Sequence, residues 1–179
     1  MTTRDELTEQ IRSGAIDTVI MAFPDTTGRL TGKRTTGRFF LDHVADHGTE
    51  NCDYLIACDV DDNPLPGYTF ASYDQGYGDM VARPDWSSVR VLPWMQATAL
   101  VMCDLFRVGQ RGADGERATT GAPIAEAPRT ILARQVEAAA TMGMVPMVAS
   151  EIEFVLFTQS YAQAHAQGYR RLTPHSPWL

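Results

Sequence analysis

Two acidic residues stand in the most apolar stretch of this chain. Glu151 and Glu153 lie within residues 147–157, where nearly all other positions are Met, Val, Ala, Ile, Leu or Phe. A strand here would place both carboxylates on one face, roughly 7 Å apart, because alternate side chains of a strand share a face. Two buried like charges need compensation, and Mg²⁺ and Mn²⁺ prefer carboxylate oxygens. The spacing fits part of a divalent-metal site whose other ligands must come from elsewhere. It fits equally an exposed strip of strand, or acids paired with Arg or Lys, and such structural ion pairs are frequent.

The elements around this acid pair are predicted from periodicity, capping and turn residues. Strands are expected at residues 17–23, 29–35, 52–60, 80–85, 89–94, 99–105 and 147–157. Helices are expected at residues 4–13, 39–47, 128–143 and 161–169. This order predicts a small α+β domain that ends near residue 110, followed by the beginning of a second domain. That second domain looks unfinished, because one helix and one apolar strand cannot cover each other's faces.

Two segments are predicted to be loops. Residues 61–78 form a long loop, and loops of this length in compact domains are usually functional or mobile. The polar, glycine-containing segment 109–122 is predicted to be an exposed loop or linker.

The charge balance excludes some classes of partner. The 179 residues include 15 basic and 22 acidic side chains, a formal net charge of −7. A general binder of nucleic acid or anionic membrane needs a basic face, so neither partner is expected. ATP remains compatible, because metal ions can supply the positive charge. The three cysteines fit neither a disulfide framework nor a zinc site, and the absence of a signal-peptide pattern or a spanning apolar run leads us to expect a cytoplasmic protein.

Five segments follow one another in a characteristic order and spacing: Gly78-Asp79-Met80-Val81-Ala82-Arg83-Pro84-Asp85, Arg90–Trp94, Thr98–Asp104, Ala127-Pro128-Arg129 and Ser150–Phe157. Together they resemble the N-terminal part of the glutamine synthetase family. The similarity extends from about Ala15 to the end of the chain. Residues 59–67 and 167–170 are more similar to one branch, whose enzymes join glutamate to amines such as putrescine or other polyamines.

The resemblance implies both a fold and an activity. The fold is a ubiquitin-like β-grasp domain at residues 15–107, followed by the truncated start of the catalytic domain at residues 120–179. The activity is that of an ATP-dependent glutamate–ammonia or glutamate–amine ligase of nitrogen metabolism, acting through γ-glutamyl phosphate. Its partners would be glutamate, ATP, and ammonia or an amine, its cofactor Mg²⁺ or Mn²⁺, and its full-length form a homo-oligomer.

The resemblance also assigns roles to single residues. Glu151 would bind the metal associated with the ATP phosphates and Glu153 the metal nearer glutamate, and these ions would neutralise the transferring phosphoryl group. Family members also use an N-terminal-domain aspartate that helps to bind and deprotonate ammonium in a neighbouring subunit's active site. Asp79 matches one family acid, and Asp59 or Asp61 is the candidate for a second. The usual Asp-Gly-Ser-Ser context is absent, which leaves room for an amine larger than ammonium, while the acid-rich turn also fits a solvated turn.

Three functional alternatives remain open at this stage. The chain is expected to be a ligase fragment that is inactive alone. It could instead be a non-catalytic β-grasp module that assembles with a full-length ligase, or part of an ordinary ammonia-using glutamine synthetase. The exposed apolar segment 147–157 is expected to make the isolated chain prone to aggregation.

Overall fold

The computed structural model describes residues 2–68, 70–71, 74, 76–109 and 121–176. The chain separates into two compact units, Met1–Met144 and Val145–Leu179. Most of the predicted loop 109–122 and the predicted loop position Tyr73 lie outside the described residues. The domain boundaries expected at 15–107 and 120–179 stay a prediction.

The first unit begins with the predicted capped helix. Helix α1, Arg4–Arg12, starts at a capping box in which the Thr3 hydroxyl accepts from the Glu6 N–H at 3.2 Å. The Glu6 carboxylate in return accepts from the Thr3 N–H at 2.8 Å. Two donors that the helix leaves unpaired are thereby satisfied. The helix buries Leu7 and Ile11 against the rest of the unit, as the sequence predicts.

A six-stranded sheet forms the body of this unit. The strands are β1 Thr18–Pro24, β2 Leu30–Thr36, β3 Thr49–Cys52, β4 Asp79–Pro84, β5 Arg90–Val91 and β6 Thr98–Arg107. Their order in the sheet is β2-β1-β6-β4-β3, with β5 also paired to β6. The β1–β6 pair is parallel, and the remaining pairs are antiparallel. The predicted hairpin at 17–35 is confirmed, and so is the mixture of helices with a sheet.

The core lies on one face of this sheet. In β6 the alternate residues Ala99, Val101, Cys103 and Leu105 are all buried, as the period of a strand requires. Helix α2, Gly37–Phe39, continues directly into a π-helical turn at Phe40–Val44, which replaces the single helix predicted at 39–47. The largest fully buried side chains include Phe23, Phe40, Leu7, Met21, Ile56 and Met80.

Two predicted strands of this unit are wrong in extent. The strand expected at 52–60 ends where it was to begin, because residues Asp53–Ile56 form a 3₁₀ helix. Its hydrogen bonds are local, with the Ala57 N–H donating to the Tyr54 carbonyl at 2.8 Å. The strand expected at 89–94 pairs only at Arg90–Val91, and Pro93, which has no N–H, follows shortly after it.

Helix α3, Pro128–Thr141, belongs to the first unit. Pro128 occupies its first turn and Gly143 has a φ of 74° just beyond its end. This confirms the expected start and stop signals.

The second unit contains one short helix and a long extended segment. Helix α4, Tyr161–Ala166, begins at a capping box formed by Ser160 and Gln163. The strand predicted at 147–157 does not form among the described residues, where only an isolated bridge joins Phe157 to Pro174. A strand requires a neighbouring backbone to bond its N–H and C=O groups. The described part of the unit offers none to residues 147–155, and beyond them the His175 N–H donates to the Leu156 carbonyl at 2.8 Å. None of the helices in the described ranges has the length and hydropathy needed to cross a membrane.

Candidate functional site

The predicted metal-binding acids are both accessible. Glu151 and Glu153 lie exposed in the extended segment of the second unit. Neither carboxylate has a hydrogen bond or ion pair with another residue in the described ranges. No third His, Cys, Asp or Glu joins them there in a cluster able to hold a metal. Two free carboxylates suit Mg²⁺ or Mn²⁺ as oxygen donors, but they form an incomplete ligand set.

Asp79 lies at the first position of β4, opposite Cys52 of β3 in the antiparallel register. The residues just beyond this pair, Asp53 after Cys52 and Gly78 before Asp79, are hydrogen-bonded to each other. The Asp53 N–H donates to the Gly78 carbonyl at 2.9 Å, and the Gly78 N–H donates to Asp53 Oδ2 at 3.2 Å. These reciprocal bonds hold Asp53 beside the start of β4. Asp53, an acid that the sequence analysis did not select, therefore lies near enough to Asp79 to feel its charge.

The Asp53 carboxyl group is in an unusual environment. The residue is partly buried, and its Oδ1 atom is buried without a hydrogen-bond partner among the described atoms. Burial raises the pKa of Asp53 above its ordinary value, and the negative charge of Asp79 adds to the rise, although the backbone N–H groups of Gly78 and Tyr54 oppose it. A partly buried carboxyl group beside a second acid is an environment in which acid–base groups are often found.

Aromatic and glycine residues border this acid pair. The rings of Tyr54 and Tyr77 meet edge to face with centroids 5.2 Å apart. A Cβ atom at Gly78 would lie 3.0 Å from Asp53 Oδ2, so a larger residue would press against the carboxylate. The backbone of Gly78 can therefore approach Asp53 closely because it lacks a side chain.

Asp59 has a structural role in its own turn. Its Oδ1 atom accepts from the N–H groups of Asp61 and Asn63, both at 2.9 Å. Hydrogen bonds from the Asn63 backbone and side chain lower the pKa of Asp59 more than any other influence. The Asp61 carboxylate is exposed, and no hydrogen bond between described residues joins either acid to Asp79.

Arg29 fixes this turn to the β1–β2 hairpin. Its Nη1 atom donates to the Val60 carbonyl at 2.8 Å, and its Nη2 atom donates to the Asp59 carbonyl at 3.1 Å and to Asp62 Oδ1 at 2.9 Å. The turn is thus stabilised by the hydrogen bonds that Asp59 accepts within it and by those that Arg29 donates to it from the hairpin.

Asp53 was missed because the sequence placed it inside a strand. Asp53 directly follows Cys52, the β3 residue opposite Asp79. Its position beside β4 follows from tertiary pairing, since Gly78, to which it is hydrogen-bonded, is 25 positions further along the chain. The local sequence Cys52-Asp53-Tyr54 contains no recognisable motif that could have identified Asp53 as a site residue.

Residues 125–177 match the family model described as "Glutamine synthetase, catalytic domain". The fold is similar to that of a solved structure titled "Apo GmaS without ligand", with a TM-score of 0.53 and 22% identity over 79% of this chain and 27% of that chain. The family-model match and the sequence relatives described next show that the chain is similar to the glutamine synthetase family.

The named relatives lie on the amine-ligase side of that family. The chain is 45% identical over 170 residues to the gamma-glutamylethanolamide synthetase GlnA4 of Streptomyces coelicolor, covering 95% of this chain and 34% of that protein. It is 31% identical over 159 residues to a glutamate–isopropylamine ligase of a Pseudomonas species, covering 89% of this chain and 32% of that protein. The chain therefore spans about a third of the length of these relatives.

Proposed function

We propose that this chain is the N-terminal part of an ATP-dependent ligase that joins glutamate to an amine through γ-glutamyl phosphate. The observation that carries the proposal is the position of Asp53 close to Asp79, which is fixed by the hydrogen bonds between Asp53 and Gly78. In a member of this family, two adjacent carboxyl groups of which one has a raised pKa suit the binding of an ammonium group and the removal of its proton.

The roles of the other residues follow from the same proposal. Glu151 would hold the metal associated with the ATP phosphates, and Glu153 the metal nearer glutamate. Such ions neutralise charge on a transferring phosphoryl group. Asp53 or Asp79 would accept a proton from the cationic amine, whose nitrogen then attacks the γ-carbonyl carbon while phosphate leaves. Asp59 shapes the turn, and Asp61 stays a predicted acid without an assigned contact.

The proposal includes a fold and an assembly. The parallel β1–β6 pair with an antiparallel strand outside each of its members supports a ubiquitin-like β-grasp domain at residues 15–107, with the catalytic domain starting at 120–179. The complete ligase would be a cytoplasmic homo-oligomer that uses glutamate, ATP and Mg²⁺ or Mn²⁺. An organic amine is favoured over ammonia by the two named relatives and by the missing Asp-Gly-Ser-Ser context.

The proposal is testable in a chimera with the Streptomyces coelicolor relative. The matching third of that relative is replaced by this chain, and ADP and amide are measured with glutamate, ATP and either ethanolamine, isopropylamine or ammonium. We expect amide formation that depends on ATP and on an organic amine. A folded chimera that forms no amide from any of the three would contradict the proposal, and so would turnover by the 179-residue chain alone.

Substitution of the metal-binding acids provides the first site test. Glu151→Gln and Glu153→Gln should each lower amide formation by about 100-fold or more in the chimera, because removal of a carboxylate ligand weakens the metal site. Glu137→Gln, at an exposed position of α3, is the matched control and should leave the rate unchanged. Equal rates in all three variants would remove the metal assignment.

A second comparison decides which aspartates serve the amine. Asp53→Asn should raise the KM for the amine by about tenfold, since a charged hydrogen bond to a cation is lost, with little change in the KM for ATP. Asp61→Asn removes an equally negative but uncontacted carboxylate and should leave both values unchanged. If Asp61→Asn raises the KM for the amine and Asp53→Asn does not, Asp61 binds the amine instead of Asp53.

One observation favours a second candidate function. Residues 145–157 expose apolar side chains, and no backbone hydrogen bond between described residues pairs 145–155 with a neighbouring strand, which fits a non-catalytic module that docks on a full-length ligase. Mixing the chain with the intact Streptomyces coelicolor relative and measuring co-elution distinguishes the two. Stable co-elution together with an inactive chimera would favour the module.

A further inference from the structure

Arg29 uses all three of its side-chain nitrogens to join two turns that are far apart in the sequence. Its Nε atom donates to Asp25 Oδ2 at 2.9 Å within the β1–β2 turn. Its Nη1 and Nη2 atoms reach the second turn, where they contact the Val60 carbonyl, the Asp59 carbonyl and the Asp62 carboxylate. A guanidinium group suits such forked contacts, because its donors are held in one plane.

Asp25 holds the near side of this link in place. Its side chain is fully buried, and it also accepts from the N–H and the hydroxyl of Thr27 at 2.8 and 2.7 Å. A buried carboxylate requires hydrogen bonds and a cation to compensate its lost hydration. Arg29 is therefore held firmly on the side of Asp25, and this gives its two Nη atoms a defined direction.

The far side of the link is a small hairpin at residues 57–65. Near its tip the Asp59 N–H donates to the Asn63 carbonyl at 3.0 Å. At its base the Leu65 N–H donates to the Ala57 carbonyl at 2.8 Å. These bonds pair the two sides of the segment as in an antiparallel hairpin. Contacts to the tip therefore help to fix the hairpin as a whole.

The tip of the 57–65 hairpin has an unusual backbone conformation. Asp62 has a φ of 64°, which a non-glycine residue keeps only where its surroundings hold it. The ion pair with Arg29 at 2.9 Å supplies one such contact. Because the Asp62 side chain is 79% exposed, solvent screens this pair, and the bonds from Arg29 to the two backbone carbonyls contribute more.

The 57–65 hairpin continues directly from the 3₁₀ helix Asp53–Ile56. The Tyr54 carbonyl of that helix accepts from the Ala57 N–H at 2.8 Å and from the Cys58 thiol at 3.2 Å. The first residue of the helix is bonded to Gly78. The helix is thus held at its start by the strand β4 side and at its end by the hairpin.

We propose that Arg29 is a positioning residue for the amine site, because it holds the 57–65 hairpin on the β1–β2 turn and thereby fixes the 3₁₀ helix that presents Asp53. The role in the reaction rests on the proposed ligase function, whereas the contact does not. All the groups that Arg29 links belong to the first compact unit. If the hairpin separated from the turn, Asp53 would be held only from the side of Gly78, and the amine would be bound less tightly.

Hydrogen exchange on the 179-residue chain tests the contact. In Arg29→Gln the amides of the 57–65 hairpin should exchange about tenfold faster than in the parent, because charge-assisted hydrogen bonds are lost. The amides of β6, at the centre of the sheet, should be unchanged. Arg38→Gln is the control and should match the parent, since the Arg38 side chain is 93% exposed. Faster exchange confined to the β1–β2 turn, or unchanged exchange in the hairpin, would overturn the proposal.

Two further variants separate the contact from a general loss of stability. Asp62→Asn keeps the bonds from Arg29 to Asp25 and to the backbone carbonyls, so hairpin exchange should rise less than in Arg29→Gln. Arg29→Lys keeps a positive charge beside Asp25, but one ammonium group cannot reproduce the fork of the guanidinium, so the parent rate should not return. Full rescue by Lys, or a larger effect of Asp62→Asn than of Arg29→Gln, would overturn the forked contact as the cause.

The KM for the amine in the chimera tests the role in the reaction. Arg29→Gln should raise the KM for the organic amine severalfold, less than Asp53→Asn does, and should leave the KM for ATP and for glutamate unchanged. Arg38→Gln should change none of the three. A rise in all three KM values would indicate a general loss of structure. Unchanged values with faster hairpin exchange would indicate a purely structural contact, and either result overturns the positioning role.

Failure of the proposed function gives a different result. An inactive parent chimera, or an unchanged KM for the amine in Asp53→Asn, would contradict the proposed amine site and the positioning role with it. The exchange data would still decide whether Arg29 holds the hairpin, because they are measured on the chain without substrate.

Discussion

At the scale of single residues, two aspartates of this chain have contrasting environments. Asp25 is buried, and its carboxylate accepts four hydrogen bonds, from the N–H and hydroxyl of Thr27 and from the N–H and Nε of Arg29, all between 2.7 and 2.9 Å. Asp53 has the contrasting environment, with a buried oxygen that lacks a partner among the described atoms. The satisfied acid stabilises a turn, whereas the unsatisfied one is suited to accept a ligand.

The environment of Asp25 predicts a pH-dependent stability. Burial alone would raise the pKa of Asp25, but the hydrogen bonds from Thr27 and Arg29 outweigh it, so the pKa lies below its ordinary value of 3.8. Its contribution is therefore complete above pH 3.8 and is lost as the pH falls through the lower pKa of the folded state. Asp25→Asn should destabilise the protein by about 2 kcal/mol at pH 7, and the difference should shrink in thermal melts taken towards pH 3.

The control for Asp25 is Asp42→Asn. Asp42 is 55% exposed and pairs with Arg38 at 3.6 Å, so its loss should change stability by less than about 0.5 kcal/mol at pH 7. If the difference in melting temperature between Asp25→Asn and the parent stays constant from pH 7 to pH 3, these hydrogen bonds do not stabilise the ionised form of the Asp25 carboxylate.

At the scale of elements, backbone approach as well as side-chain packing sets where strands pair. Gly48 precedes β3 with a φ of 76°, and a Cβ atom there would lie 2.5 Å from the Ala82 carbonyl oxygen of β4. Gly14, after α1, has a similar φ of 79° but open space around it. A side chain at Gly14 would meet only the strain of a positive φ, whereas a side chain at Gly48 would meet the same strain and also clash with β4. Comparing substitutions at the two positions therefore separates the two effects.

This comparison yields a prediction for the β3–β4 pair. Gly14→Ala should cost about 1 kcal/mol, which is the penalty of a left-handed conformation. Gly48→Ala should cost a further ~2 kcal/mol, because the strand must move away from β4. Chemical denaturation of both variants measures the difference. Equal losses would mean that β3 shifts freely, and the site at Asp53 would then not be rigidly held.

At the scale of the whole molecule, the two units differ in how they bury apolar groups. The first unit has a continuous core. In the second unit the described large apolar side chains of residues 145–157 are mostly open to solvent, for example Met147 at 90%, Ile152 at 81% and Phe154 at 73%. Exposed apolar segments of this kind favour self-association.

The isolated chain should therefore self-associate through this segment. The double variant Ile152→Ser and Phe154→Ser should shift light scattering towards the monomer at a given concentration. Val60→Ser with Trp94→Ser is the matched control, since both residues are well exposed in the first unit, at 70% and 76%. A monomeric parent chain, or an equal response of the two double variants, would show that the segment is not the contact.

Local signals in the sequence determined the elements whose hydrogen bonds are made with near neighbours. The capping boxes at Thr3 and Ser160 formed where such signals place them, and ordered motifs around Asp79 and Glu151 indicated the family that the relatives confirm. The fold class needed no more than alternation and turn residues. These features depend on residues within one or two turns of each other, so the sequence displays them directly.

Tertiary structure alone decided the features that depend on distant residues. Asp53 lies close to Asp79 because β3 pairs with β4, and its hydrogen bond to Gly78 links positions 25 residues apart in the sequence. The hydrogen bond from Arg129 to Asp85 links positions 44 residues apart. The segment 147–157 has a strand-like sequence but forms no strand among the described residues, because its backbone requires a neighbouring strand that these residues do not supply. The composition of a segment determines its preference for strand structure. A paired strand also requires a second strand, which the rest of the fold must bring close.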